Sequence, residues 1–269
     1  MQNIRNYKNN LILIKKKIRN MNDKKIRIAK FLANNGICSR RHAEKLILEH
    51  KVMVNNELIT KDNLGLKVDI NDKIIVNNQL ISNHSAKKLY FLFNKPKNVL
   101  CSNQDYIHKR KKVIDYFLKY DTHLYSVGRL DYDSHGLIIV TNDGDFAYKI
   151  MHPKFNIIKT YQVLINKKLT QTHLNLLQQG IILKNEHKTA PCQLKIIKNN
   201  VNKKTSLIEI KIHEGKKHQI KKMFNFFNYQ VLDLKRIKIA CFSLANIKEG
   251  TYQEISLEKI NYFFQKYSC

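Results

Sequence analysis

The chain has 269 residues, room for one large domain or for a small and a larger one, and 43% of them are apolar, which excludes wholesale disorder. Lys and Arg number 49 against 21 Asp and Glu, a formal net charge of +28. A field of that sign gathers polyanions, either nucleic acid or an anionic membrane surface. No run reaches the ~18 apolar residues that a membrane span requires. The five cysteines (Cys38, Cys101, Cys192, Cys241 and Cys269) are scattered without a CxxC pair. Neither a disulfide framework nor a zinc knuckle is indicated, and a reducing compartment is expected. The 11 histidines form no HxxxH pair and none sits beside a Cys pair, so no metal site is expected.

Residues 1–23 form a basic leader: Arg5, Lys8, Lys15, Lys16, Lys17 and Arg19 precede the first acid, Asp23. An RNA-binding arm or a true start at Met21 is favoured over an organellar transit peptide. Regular patterning begins at Lys24. Ile28, Phe31 and Leu32 fall at helical spacing, and Asn35-Gly36 closes that helix. Ser39 stands as N-cap before a second helix whose apolar face is Ala43, Leu46 and Ile47. Val52–Val54 with Asn55-Asn56 predicts a strand and a tight turn, and residues 70–76 another turn and strand. This is a compact α/β unit of about 60 residues, a size at which small domains still fold alone. Arg40 and Arg41 open the second helix at its positive dipole end, where phosphate is favoured. Arg27 and Lys30, expected on the first helix, would extend that basic face.

Residues 83–88, polar and aperiodic, read as a linker. Beyond them β-like runs (89–93, 137–141, 161–165, 207–212) alternate with helical ones (169–179, 219–227). No glycine-rich phosphate loop follows any strand, so the pattern predicts a mixed α+β domain and argues against a nucleotide cofactor. The tail from Lys259 carries no pattern.

The densest constellation of polar chemistry is Gly128-Arg129-Leu130-Asp131-Tyr132-Asp133-Ser134-His135-Gly136, followed by an apolar strand ending in Asn142-Asp143-Gly144. Two glycines bracketing a short polar loop can project a carboxylate over a sheet edge. An aspartate so placed often only stabilises its turn. A carboxylate that works beside a base must stay ionised, and a nearby cation keeps it so. Arg129 is two residues away, and a second basic cluster lies at Lys216, Lys217, Lys221 and Lys222. Phe224, Phe226 and Phe227 read as core, while Lys235, Arg236 and Lys238 read as phosphate contacts or solubilising surface.

The stretch RIAKFLANNGICSRRHAEKLILEHKVMVNNELI resembles the small RNA-binding domain first recognised in ribosomal small-subunit protein four, over about residues 24–82. GRLDYDSHGLIIVTNDG resembles the signature of the pseudouridine synthases of the RsuA/RluB family. FLFNKPKNVL, MHPKFNIIKTYQV and EGKKHQIKKMF are similar to three further segments of that family in the same order. The resemblance covers about residues 24–258. It implies that Asp131 is the essential aspartate, that Tyr161 stacks on the target base and can act in proton transfer, and that Lys221 is the cation paired with the aspartate. It implies Arg129 near the flipped nucleotide. Lys216, Lys217, Gln219 and Lys222 are expected to bind RNA, together with Arg27, Lys30, Arg40 and Arg41. Lys stands where Arg is usual at several basic positions, and Ser134 where Thr is usual.

Isomerising uridine needs no redox step, metal or energy source, so no cofactor is expected. The expected fold class is α+β: a small α/β RNA-binding domain at 24–82, a linker at 83–88, a mainly antiparallel synthase domain at 89–258 and a tail at 259–269. The expected partner is a structured ribosomal RNA hairpin, leaning to the large subunit, with a monomer acting in the bacterial cytoplasm and no membrane role. Three rival readings fit the sequence less well. An inactive ribosome-assembly factor would lack the Asp, the Tyr or the cation. A hydrolase pairing Asp131 with Asp133 suffers because residues two apart on an extended segment point to opposite sides. A membrane-surface protein needs a basic helix with a strong apolar face, and none stands out.

Overall fold

The computed structural model describes residues 25–81, 86–102, 109–183, 188–200, 202 and 204–267. The leader 1–23 and residues 83–85 of the expected linker lie outside the described residues. The chain divides into two compact units after Lys87.

In the first unit, helices α1 (Ile28–Asn34) and α2 (Arg40–Leu48) pack on short antiparallel strands. Strands β1 (Ile26–Arg27) and β4 (Lys67–Val68) pair with each other. Strands β2 (Val52–Val54), β3 (Glu57–Leu58), β5 (Ile74–Val76) and β6 (Gln79–Leu80) form a sheet in the order β3-β2-β5-β6. The expected punctuation is present. Gly36 takes φ +75 as α1 ends, and the Ser39 side chain accepts from the His42 N–H at 3.2 Å. Asn55 and Asn56 both take positive φ, the hairpin geometry that matches strand twist, and Asn77-Asn78 repeats it at a turn not anticipated from sequence. Ile28, Leu32, Ala43, Ile47, Val52, Val68 and Ile74 are fully buried and form its core. Arg27 is not on the first helix as expected: it lies in β1, opposite Lys67, because the chain enters extended and turns helical only at Ile28.

In the second unit, nine strands among the described residues form one sheet: β7 (Tyr90–Lys95), β8 (Tyr125–Val127), β9 (His135–Thr141), β10 (Lys159–Ile165), β11 (Gln193–Asn200), β12 (Thr205–Ile212), β13 (Val231–Ile239), β14 (Phe242–Ser243) and β15 (Tyr252–Glu254). Its order is β11-β12-β10-β13-β9-β7-β15, with β14 on β13 and β8 on β9. Both faces are covered, which explains the unbroken apolar runs of β7 and β9. Phe91, Phe93, Ile138 and Val140 face one core, with α4 (Gln171–Gln179) and α5 (Gln219–Asn225) over it. Tyr90, Leu92, Leu137 and Ile139 face the other, under α3 (Gly144–Met151). Mixed strands with helices on both faces make the chain α+β, as expected.

Three expectations need correction here. The residues from Lys259 are not a patternless tail: Leu257–Lys266 form helix α6, capped by Ser256, with Ile260 and Phe263 buried in the second core. The spacing of Ile260, Phe263, Phe264 and Tyr267 puts one apolar face on that core. Lys88 belongs to the second unit rather than to a linker, since its ammonium lies 3.0 Å from the buried Asp143 carboxylate. Burial would raise Asp143, but hydrogen bonds from the Tyr90 hydroxyl and Lys88 hold it below the usual carboxylate range. The aromatic run is only partly core, for Phe224 is fully buried while Phe226 is 53% exposed.

The sheet is antiparallel except at its centre. There β13 runs parallel to β9 and pairs with it over two positions only, Lys235 with His135 and Arg236 with Gly136. Beyond these β9 turns to β8 and β13 to β14. Gly136 is required at this junction. It takes φ +101, and a Cβ there would meet the Arg236 carbonyl oxygen at 2.3 Å. Gly136→Ala is therefore expected to cost more than about 2 kcal/mol of stability in urea unfolding. A loss below about 0.5 kcal/mol would mean the strands can part there freely.

Candidate active site

The loop from Gly128 to Ser134 enters β9 at this junction. Gly128 takes φ +75, and the Leu130 N–H donates to the buried Cys101 sulfur at 3.3 Å. The Ser134 N–H then returns to the Asp131 carbonyl at 3.1 Å, closing a turn over residues 131–134. That turn corrects the expectation of an extended segment: both carboxylates converge on one cation. Lys221 Nζ lies 3.5 Å from Asp131 Oδ2 and 2.5 Å from Asp133 Oδ1. The Lys221 hydrogen bond holds the Asp133 carboxyl below its ordinary value, against some desolvation. On the other side His218 Nε2 sits 3.5 Å from Asp131 Oδ1. The Asp131 side chain keeps 28% of its surface exposed, enough to meet a ligand.

Helix α5 delivers Lys221, and the loop before it is built to place that helix. His218 adopts the left-handed conformation (φ +54) at its N-cap. The Glu214 carboxylate accepts from the Ala190 N–H at 2.8 Å and from the Gln219 side chain, while the Lys216 N–H donates to Gln219 Oε1 at 3.0 Å. Gln219 is 3% exposed. Its expected RNA contact is thus corrected: its amide faces inward, where an unpaired polar group would be costly, and holds the loop. Lys216 is exposed but pairs with Glu214 at 3.5 Å, Lys217 is exposed, and Lys222 is half-buried on α5. Arg129 is exposed beside Asp131; in the first unit Arg27, Arg40 and Arg41 are exposed and Lys30 is half-buried.

Tyr161, on β10, is 7% exposed with its hydroxyl 3.3 Å from Arg236 Nη1. Arg236 is the residue that sequence reasoning misplaced. It is 3% exposed, not a surface cation, and donates to Leu137 O at 2.7 Å and Arg129 O at 3.5 Å. The usable signal was strand alternation, which puts Arg236 on the same face as buried Leu234. His218 and Lys95 were also passed over. Lys95, the lysine of the Asn-Lys-Pro segment, is fully buried, with Nζ 2.9 Å from Pro96 O and 2.8 Å from Val99 O.

Burial lowers Lys95 to about 8, and burial with the nearby Arg236 lowers Lys159 to about 8. Burial raises the thiols of Cys101 and Cys241 above 9.0, and that of Cys192 to about 12. Each depressed lysine makes the unfolded chain bind more protons from about pH 8 upward, so stability rises with pH there. The raised thiols do the opposite once unfolded cysteines ionise, near 9.0. The stability of this unit is therefore expected to peak at about pH 9, read by urea unfolding at fixed ionic strength. A steady fall between pH 7 and pH 9 would contradict the depressed lysines.

The helix-and-hairpin unit and the split-sheet unit with its cation-clamped aspartate each match a known family, and together they place the chain among RNA-modifying enzymes that carry their own RNA-binding domain. Residues 26–74 match the S4 domain, and residues 89–226 match RNA pseudouridylate synthase. The chain is 39% identical over 234 residues to ribosomal large subunit pseudouridine synthase B of Bacillus subtilis (strain 168), covering 87% of this chain and 93% of that protein. It is 31% identical over 239 residues to ribosomal small subunit pseudouridine synthase A of Haemophilus influenzae (strain ATCC 51907 / DSM 11121 / KW20 / Rd), covering 87% and 98%. A crystal structure of a pseudouridylate synthase superposes with a TM-score of 0.63 at 30% identity, over 88% of this chain and 98% of that one. The chain belongs to the RsuA/RluB family of RNA pseudouridine synthases.

Proposed function

We propose that this synthase isomerises a specific uridine of large-subunit ribosomal RNA, with Asp131 as the catalytic carboxylate. The observation that carries this is the Lys221 ammonium at 3.5 Å from Asp131, brought there by a helix far along the chain. In the reaction the bond from base N1 to sugar C1′ breaks, the base turns, C5 bonds to C1′, the C5 proton leaves and N1 gains one. An ionised carboxylate at the cleft offsets the positive charge that develops at C1′ as the base departs. Lys221 and His218 hold that carboxylate, so little reorganisation is needed when the substrate arrives. Tyr161 supplies the aromatic face for the extruded base, worth roughly 1–3 kcal/mol in comparable stacking sites. Arg129 sits at the rim beside the nucleotide. Arg27, Lys30, Arg40, Arg41, Lys216, Lys217 and Lys222 draw the RNA in by counterion release. The enzyme acts as a cytoplasmic monomer and uses no cofactor.

The name of the Bacillus subtilis relative supports the large subunit. The segment VLDLKRIKIACFSLANIKEG supports it too, since it resembles the large-subunit branch. Pseudouridines should be mapped by carbodiimide and primer extension in ribosomal RNA from cells with and without the gene. One large-subunit site should vanish on deletion and return with the wild-type gene. Loss of a small-subunit site instead corrects the target; no lost site overturns the ribosomal assignment.

A further inference from the structure

We propose that Arg236 is a positioning residue for the isomerisation, fixing the Asp131 loop and the Tyr161 phenol in one frame from inside the sheet. The inference rests on the roles given above to Asp131 and Tyr161.

The three acceptors of Arg236 belong to three different segments. Nε donates to Leu137 O on β9 at 2.7 Å. Nη1 donates to Tyr161 Oη on β10 at 3.3 Å, and to Arg129 O at 3.5 Å, two residues before Asp131. A planar guanidinium spans these with fixed angles, which a lysine point charge cannot do. The backbone of the same residue is pressed against Gly136, where a Cβ would meet its carbonyl oxygen at 2.3 Å. Both ends of Arg236 are thereby set at the two-residue junction between β9 and β13.

Arg236 is an expensive way to hold a sheet together. It is 3% exposed, all three acceptors are uncharged, and no ion pair joins it to a carboxylate among the described residues. Its Nη2 is buried with no hydrogen-bond partner. A buried cation lacking a counter-charge, with one donor unspent, opposes folding. Removing it alone would strip a donor from three acceptors, so its loss carries a stability cost of its own beside any effect on the site. What the arginine adds is alignment of the Asp131 loop with the Tyr161 phenol.

The test uses the full-length chain and Arg236→Met. Its unfolding midpoint should fall modestly, while kcat per folded molecule for tritium release from carbon-5-labelled RNA falls about 100-fold, the scale of a small misplacement of reacting groups. Overall RNA affinity should stay within about twofold, because phosphate contacts rather than the displaced groups dominate it. Combined with Tyr161→Phe, which removes one acceptor, the loss should be well short of the product of the two single losses. A kcat within about threefold of wild type, or fully multiplicative losses, overturns the proposal. So does a lowered midpoint with unchanged kcat per folded molecule. Should Arg236→Met fail to fold, Arg236→Lys takes its place under the same thresholds. Asp131→Asn serves as the control: tritium release by that variant sinks the reading of the site itself and leaves the Arg236 comparison to be judged separately.

Discussion

Asp131→Asn should abolish turnover, with a fall in kcat on the order of 10⁴-fold or more, while leaving the fold and RNA binding intact. The change removes one charge and almost no volume. Among the described residues the Asp131 carboxylate pairs with Lys221 and His218, each at 3.5 Å, and makes no buried hydrogen bond to the core. Ion pairs this exposed contribute little to stability, about 1 kcal/mol at most. The turn that carries the residue is closed by its backbone carbonyl, which Asn retains. In the proposed reading RNA affinity comes from basic side chains contacting phosphate, and the loss of one carboxylate leaves those contacts in place. The measurement is tritium release from carbon-5-labelled RNA together with a filter-binding isotherm at fixed salt. Release above about one per cent of the wild-type rate removes Asp131 from the chemistry. Loss of binding along with turnover would make it a folding residue instead.

Much of this architecture could be read in advance because its signals are local. Ser39, Asn35-Gly36 and Asn55-Asn56 mark their own ends and turns, and residues 90–93 and 137–140 are apolar because both sheet faces are covered. Helix α6 is equally local in its signal, for Ile260, Phe263, Phe264 and Tyr267 fall at helical spacing. The site was less so. Asp131 and Lys221 were placed by resemblance; no periodicity couples a loop to a helix so distant in sequence. In a chain with 49 Lys and Arg, one cation that points inward looks like all the others. Arg236 and Lys95 were hidden in that way. Gln219 erred in the opposite sense: a polar residue amid a basic motif reads as a ligand contact, but its amide completes the loop that sets Lys221.

Lys221→Met should lower kcat by about 10²- to 10³-fold, the scale for losing one preorganised electrostatic contact. The reason is specific to this geometry. The 131–134 turn points two carboxylates at a single ammonium, 3.5 Å from Asp131 and 2.5 Å from Asp133. Without it the two anions repel each other with no ammonium bridging them, and Asp131 swings away from its working position. Lys221→Arg should recover most of the activity, since a guanidinium bridges two carboxylates. Removing the competing anion should also help: Asp133→Asn in the Lys221→Met background is expected to regain roughly tenfold, whereas Asp133→Asn alone should stay within about fivefold of wild type. That pattern separates the synthase from a hydrolase with a paired-carboxylate centre, in which Asp133→Asn alone would be as damaging as Asp131→Asn. Single-turnover rates on saturating RNA distinguish the cases. A Lys221→Met enzyme within about tenfold of wild type would show that Asp131 holds its place without the cation.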